Sequence, residues 1–264
     1  MVTIVLNSIA VCKQEPRNRA RAMAPPKAVG FRESWRQLAA GKGMLRLLAV
    51  IGLGTAGFGM ADVLLEPFGG QVLQMTVAQT TKLTVVLASG SLVGFALASR
   101  WLGQGGRPIN VAMTSAVIGA AAIGFMIEAA VTLSNPLVVG ATLAAGFGAG
   151  LFGHGTLTAT MRRAPQDQIG LALGAWRAVQ TRAAGISIAI GGVLRDLMML
   201  REGPTALPAD AYIPVFWLEF VLLVGCIIVA KALIADIVTL PRKEPFADTN
   251  SQDGPEIGLT LPDT

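Results

Sequence analysis

Six long apolar stretches alternate with short polar connections along the chain. An α-helix needs about 20 mostly apolar residues to cross the hydrocarbon core of a bilayer. Six stretches meet that length, at residues 44–65, 77–102, 109–133, 136–161, 169–194 and 213–234. The pattern predicts an all-α integral membrane protein with six transmembrane helices, which excludes most soluble enzymes.

Basic residues are concentrated in alternate connections. Residues 13–42 carry eight Lys or Arg and residues 100–107 carry two, whereas residues 66–75 carry none. Because Lys- and Arg-rich connections stay in the cytoplasm, both termini are predicted to be cytoplasmic. The predicted organisation is a basic N-terminal segment (1–43), the six-helix bundle (44–238) and a polar, disordered cytoplasmic tail (239–264).

Composition supports a membrane protein. Charged residues make up 14% of the chain, against roughly a quarter in soluble domains. The net charge of +5 would suit a nucleic-acid-binding protein, but the basic residues follow the membrane pattern, so the predicted partner is the lipid bilayer and not nucleic acid. Cys12 and Cys226 lie far apart, without disulfide or zinc spacing, and no metal site is predicted.

Glycines form two motifs inside the apolar stretches. Gly52, Gly54 and Gly57 match the dinucleotide pattern G-x-G-x-x-G, which requires a preceding strand. An apolar span leaves no room for one, so helix packing is the favoured interpretation. The glycines between Gly146 and Gly155 predict a smooth helix face, turned toward neighbouring helices or toward a ligand.

Several ionisable residues fall within the predicted spans. Asp62 and Glu66 are four residues apart and share one helix face. They are either solvated at a helix end or form a cavity-lining or proton-linked pair. Glu128 and Glu219 lie near outer ends of spans, and Lys82 is predicted to form a salt bridge with one of these carboxylates.

Two arginines in the fifth span are harder to place. Arg182 lies roughly 20 Å along the helix from residue 169, and Arg177 points roughly 140° away from it. The two cannot face one cavity. Either the inner end of the helix extends into water, or one arginine pairs with an acidic lipid, a carboxylate or a partner subunit.

His154 is the only histidine and stands among glycines in a span. A neutral imidazole could ligate the magnesium of a chlorin, with the glycines leaving space for a flat ring. The alternative is a hydrogen-bonding residue in helix packing.

Three blocks carry a resemblance to a known family. They are residues 62–73 with 80–81, residues 155–161, and residues 170–176 with 178–180 and 191–196. Together they resemble the PucC/LhaA family of phototrophic bacteria, a branch of the major facilitator superfamily. The family has twelve spans, and this chain resembles the second six. The resemblance implies a C-terminal half of a major facilitator fold, with residues 1–43 corresponding to the end of a preceding span and a central loop.

The resemblance implies a factor for light-harvesting antenna assembly in the bacterial inner (intracytoplasmic) membrane. Bacteriochlorophyll is the implied cargo, and antenna polypeptides, an N-terminal-half partner or a second copy are the implied partners. Seven residues are candidates for ligand binding: His154, Asp62, Glu66, Glu219, Gly150, Trp176 and Gln180. The alternative is a proton-coupled exporter of an apolar small molecule. A prenyl-transferring enzyme would need paired Asp-rich loops, which are missing from the sequence, so no enzyme activity is predicted.

Overall fold

The computed structural model describes residues 30–41, 43–202 and 208–238, and all of its regular structure there is helical. Six of its helices are long and apolar enough to cross a membrane. In chain order the helices are α1 (Phe31–Ala40), α2 (Met44–Gln71), α3 (Val77–Gly103), α4 (Pro108–Thr132), α5 (Asn135–Arg163), α6 (Ile169–Glu202) and α7 (Pro208–Val238). The predicted all-α, six-span fold is confirmed. The predicted tail and most of the predicted N-terminal segment lie outside the described residues.

The chain divides into two units between Gln37 and Leu38. Of the first unit the structure describes residues 30–37, where Arg36 pairs with Glu33 at 2.7 Å and Gln37 donates to Glu33 at 3.1 Å. These contacts link side chains one helical turn apart and support the start of α1.

Three spans are clearly longer than the sequence predicts, among them α7, which covers Pro208–Val238 against a predicted 213–234. Helix α2 continues past the predicted end at residue 65, through Glu66 and Pro67, to Gln71. Helix α6 continues past residue 194 and includes the ion pair of Arg195 with Asp196. A helix of 28 residues is about 42 Å long and projects beyond a hydrocarbon core of about 30 Å. Charged side chains there meet water without ending the helix.

Helix starts follow local sequence signals. At α3 the amide of Thr76 donates to the side chain of Gln79 at 2.8 Å, within a capping box. Proline occupies one of the first two positions of α4 and of α5, where its missing N–H costs no helical hydrogen bond. These signals determine the residue at which each of these helices begins after its connecting loop.

Glycines hold α3 and α5 together. A Cβ atom at Gly94 would lie 2.1 Å from the carbonyl oxygen of Phe147, and one at Gly150 would lie 2.0 Å from that of Ser91. The backbones approach too closely for any side chain at these positions, as small-residue interfaces in membranes require. The glycine-rich segment of α5 therefore serves packing against a neighbouring helix along this face.

The G-x-G-x-x-G segment also serves packing, as predicted. It lies inside α2, where a Cβ at Gly54 would overlap the ring of Phe152 and one at Gly57 would overlap Leu223. Helix α2 thereby reaches both α5 and α7 through its glycines.

Polar contacts join the helix ends at the face predicted to be cytoplasmic. Arg46 at the start of α2 forms a salt bridge with Asp236 near the end of α7. Arg162 at the end of α5 donates to the carbonyl oxygen of Gly106 at 3.4 Å. These basic residues share one end of the bundle, which is the arrangement that the alternation of charge along the sequence requires.

The helices are unequally covered. Half of the apolar part of α2 is buried inside the bundle, whereas the corresponding share is 22% for α3 and 11% for α6. Helices α3 and α6 thus leave most of their apolar surface to lipid or protein.

Candidate functional site

An open cavity of about 380 Å³ lies where α2, α3, α5 and α6 meet. Its volume is within the range of small-molecule sites, about 300–1,000 Å³. The lining residues are Thr55, Phe58, Gly59, Ala61, Asp62, Thr84, Leu87, Ala88, Ser91, Ala145, Gly146, Ala149, Phe152, Gly153 and Gln180. The cavity is a candidate ligand site formed by the described helices.

The walls of the cavity combine aromatic rings with small residues. Phe58 and Phe152 pack with ring centroids 5.7 Å apart. A Cβ atom added at Gly153 would meet nothing within 4 Å, so this part of the wall is open. Small residues on α5 beside two phenyl rings produce an apolar surface suited to a flat hydrophobic molecule.

Two polar side chains in the cavity have no protein partner. Within the described residues, neither the carboxyl group of Asp62 nor the amide of Gln180 makes a hydrogen bond or ion pair. Asp62 is exposed and Gln180 is half-buried, so both can meet a ligand that enters the cavity. The hydroxyl oxygen of Thr55 is buried without a partner in the described part of the chain, although buried polar groups are normally paired. The predicted candidates Asp62 and Gln180 are thus brought together from α2 and α6.

Glu66 acts at the edge of the same cavity. It accepts a hydrogen bond of 2.8 Å from the hydroxyl of Thr84, which is a lining residue on α3. Asp62, one turn earlier on α2, stays without a partner. The two predicted acids therefore differ in role, because one ties α2 to α3 and the other faces the open space.

Three predicted candidates lie outside the cavity lining. Gly150 packs against the backbone of α3, and Trp176 donates through Nε1 to the hydroxyl of Thr156 at 3.3 Å. The imidazole of His154 lies 3.3 Å from Ser99 through Nε2. Each residue of a helix is rotated by about 100° from the previous one. Residue 153 faces the cavity, so His154 turns toward α3.

The environment of His154 is a polar contact between helices. The ring of Phe95 packs against the imidazole at a centroid distance of 4.4 Å. The other ring nitrogen, Nδ1, is buried and has no hydrogen-bond partner in the described part of the chain. This geometry matches the packing alternative considered from the sequence.

Glu219 is enclosed in the bundle and does not reach the cavity. It has 0% exposure and lies against the backbone of Ala61 on α2. Neither carboxyl oxygen has a hydrogen-bond partner among the described residues. Glu219 therefore lies next to Ala61, a residue of the cavity lining, without being part of that lining itself.

Replacing Glu219 with Met should stabilise the fold, because an unpaired buried carboxyl group costs about 1–3 kcal/mol in either protonation state. The measurement is the thermal unfolding midpoint of purified protein in detergent. Glu128→Met, at an exposed position on α4, is the control and should change stability by about 0.5 kcal/mol at most. A lower midpoint for the Glu219 variant would show that its carboxyl group makes a stabilising interaction.

The predicted salt bridge of Lys82 is wrong for the part of the chain that the structure describes, where it pairs with no carboxylate. Lys82 is exposed on α3, and its flexible side chain meets no acid there. Arg177 and Arg182 are both exposed on α6. Neither lines the cavity, in agreement with the inference that they cannot share one.

Several lining residues were not singled out from the sequence, among them Thr55, Phe58, Thr84 and Phe152. For α2 the spacing could have identified them, because Thr55 and Phe58 are three residues apart and Phe58 and Asp62 four, which places all three on one helix face. No comparable signal exists for Phe152, which faces the cavity only because of how α5 packs against its neighbours.

Comparison with solved structures supports the fold. The chain resembles a bacterial homologue of the human lysosomal transporter Spinster, solved in an inward-facing and unoccupied conformation, with a TM-score of 0.54 and 15% identity. The likeness covers 83% of this chain and 51% of the transporter. At this identity it shows the fold alone: the helices of this chain are arranged as in about half of that protein.

Comparison with curated proteins gives much higher identities. The chain is 54% identical to Protein PucC of Rhodovulum sulfidophilum over 205 residues, covering 76% of this chain and 45% of that protein. It is 49% identical to Protein PucC of Cereibacter sphaeroides, covering 90% and 52% respectively. A Rhodobacter capsulatus protein named bacteriochlorophyll synthase 44.5 kDa chain is 28% identical, covering 88% and 54%.

The chain spans about half the length of these curated relatives. The profile of the family described as PUCC protein matches residues 1–237. The match extends over all six spans and agrees with the resemblance seen in the sequence blocks. The chain is therefore a multi-pass membrane protein that belongs to the PucC family.

Proposed function

We propose that this protein is a membrane factor for the assembly of light-harvesting antenna complexes and that it binds bacteriochlorophyll in the cavity between α2, α3, α5 and α6. The observation that carries the proposal is the open apolar cavity with its unpartnered Asp62 and Gln180. Family membership and the name of one relative supply the pigment as the ligand to test.

The shape of the cavity favours a ligand with one flat apolar part. Phe58 and Phe152 offer ring surfaces, while glycine and alanine on α5 allow close approach. The cavity is not enclosed, so a large macrocycle can enter partway and keep its remaining surface against lipid or a second membrane protein. A binding role of this kind involves no bond making.

The exposed surfaces of α3 and α6 support a partner in the assembly. Apolar residues such as Leu92 on α3, at 72% exposure, and Ile186 on α6, at 61%, face outward. Antenna polypeptides, a second six-helix body or a second copy of this chain would receive or enclose pigment against these surfaces. In this proposal the protein delivers pigment to its partner within the membrane.

A pigment titration tests the proposed function. The purified chain in detergent, titrated with bacteriochlorophyll a, should shift the pigment's absorption bands in a saturable way with about one pigment per chain. A matched titration of an unrelated membrane protein of similar size provides the background. A spectrum that does not differ from the background would contradict the proposal, and pigment movement across liposomes driven by a pH gradient would favour the exporter instead.

A further inference from the structure

We infer that the carboxylate of Asp62 holds the central magnesium of a bound tetrapyrrole, directly or through one magnesium-bound water, and that His154 does not. This inference rests on the proposed function, because it names the contact by which the same cavity would recognise the metal of the pigment.

The ligand chemistry of Asp62 points to the metal. An ionised carboxyl group only accepts hydrogen bonds. In a magnesium tetrapyrrole the metal replaces both ring N–H hydrogens, and the peripheral keto and ester oxygens are acceptors as well. The groups left to meet Asp62 favourably are the magnesium and any water bound to it. Magnesium prefers oxygen ligands and gives up its water reluctantly.

The surroundings of Asp62 leave its carboxyl group free for this contact. Glu66, the next acid along α2, is engaged by the hydroxyl of Thr84 at 2.8 Å. Lys82 on α3 forms no salt bridge with Asp62 in the described part of the structure. Asp62 is therefore the lining carboxylate without a competing protein partner among these groups.

The rest of the cavity can orient the ring around that contact. Phe58 lies one turn before Asp62 on α2 and packs with Phe152, so both phenyl rings border the same space. The amide of Gln180, on α6, can donate to a keto oxygen of the macrocycle. With Asp62 at the metal and Gln180 at a keto oxygen on the ring edge, the pigment could not rotate about the axis through its magnesium.

The position of His154 argues against a magnesium contact from the imidazole. Its Nε2 atom is 3.3 Å from the hydroxyl oxygen of Ser99, and the ring of Phe95 covers one side of it at 4.4 Å. His154 does not belong to the cavity lining. A macrocycle in the cavity would meet α5 at Gly153, on a different side of the helix.

The test compares pigments with and without the metal. The purified full chain and its Asp62→Asn variant are titrated with bacteriochlorophyll a and with metal-free bacteriopheophytin a. We expect the unmodified chain to bind the magnesium pigment about 10- to 100-fold more tightly, as for one charge-assisted contact. Asp62→Asn should lose this preference and keep its affinity for the metal-free pigment, which also shows that the variant is folded.

His154→Leu is the matched variant and should keep the full preference for the metal. A preference that survives both Asp62→Asn and Asp62→Ala would overturn the inference, as would its loss in His154→Leu. Equal loss of both pigments in the Asp62 variants would overturn it too, because Asp62 would then not recognise the metal. If the unmodified chain binds neither pigment, the proposed function fails and the inference fails with it.

Discussion

Replacing Gly150 with alanine should lower the free energy of unfolding by about 1–3 kcal/mol, the usual cost of forcing extra atoms into a packed interface. A Cβ at this position would lie 2.0 Å from the carbonyl oxygen of Ser91 and 3.0 Å from the amide nitrogen of Phe95. Both are backbone atoms of α3, so no side chain can rotate away and the helix itself must shift. The measurement is the thermal unfolding midpoint in detergent.

Gly140→Ala on the same helix is the control for this experiment. A Cβ at Gly140 would meet nothing within 4 Å, so this variant gains helix propensity, about 1 kcal/mol, without a clash. The two alanine variants should therefore change stability in opposite directions. Equal midpoints would show that α3 and α5 do not need their close contact.

The spans themselves could be predicted from the sequence because length and apolar character decide whether a helix crosses a bilayer. The ends of α2 and α6 could not, since a helix can continue beyond the hydrocarbon core with Glu66 or Arg195 in the headgroup region. Hydropathy locates the apolar core of a span, and the end of the helix depends on local caps and on neighbouring helices.

The cavity was only partly predictable. Asp62 drew attention because ionisable groups in spans are costly and usually have a function, and Gln180 because it lies in a block that resembles the family. Gly150 drew attention as part of the glycine-rich stretch and His154 as the only histidine, yet both turn toward α3. A helix rich in small residues offers several faces for close packing, and the sequence does not tell which neighbour each face meets. The contact between α3 and α5 fixes the rotation of α5 about its axis. As a result Gly150 and His154 face α3, and Gly153 faces the cavity.

Replacing Gly153 with leucine should weaken bacteriochlorophyll binding at least tenfold, equivalent to about 1.4 kcal/mol. Gly153 lines the cavity, and a Cβ there meets nothing within 4 Å. A leucine side chain can therefore enter the space that the proposed ligand occupies without disturbing the packing of α5. The measurement is the pigment titration by absorption, together with the thermal midpoint, which should stay the same or rise.

Gly140→Leu is again the matched control, because it adds the same side chain to the same helix at an exposed position. It should leave pigment affinity unchanged. If Gly153→Leu binds pigment as tightly as the unmodified chain while keeping its fold, the pigment binds elsewhere, and the exposed surfaces of α3 and α6 become the next place to look for it. If only the Gly153 variant loses affinity, the cavity between α2, α3, α5 and α6 is where the macrocycle lies.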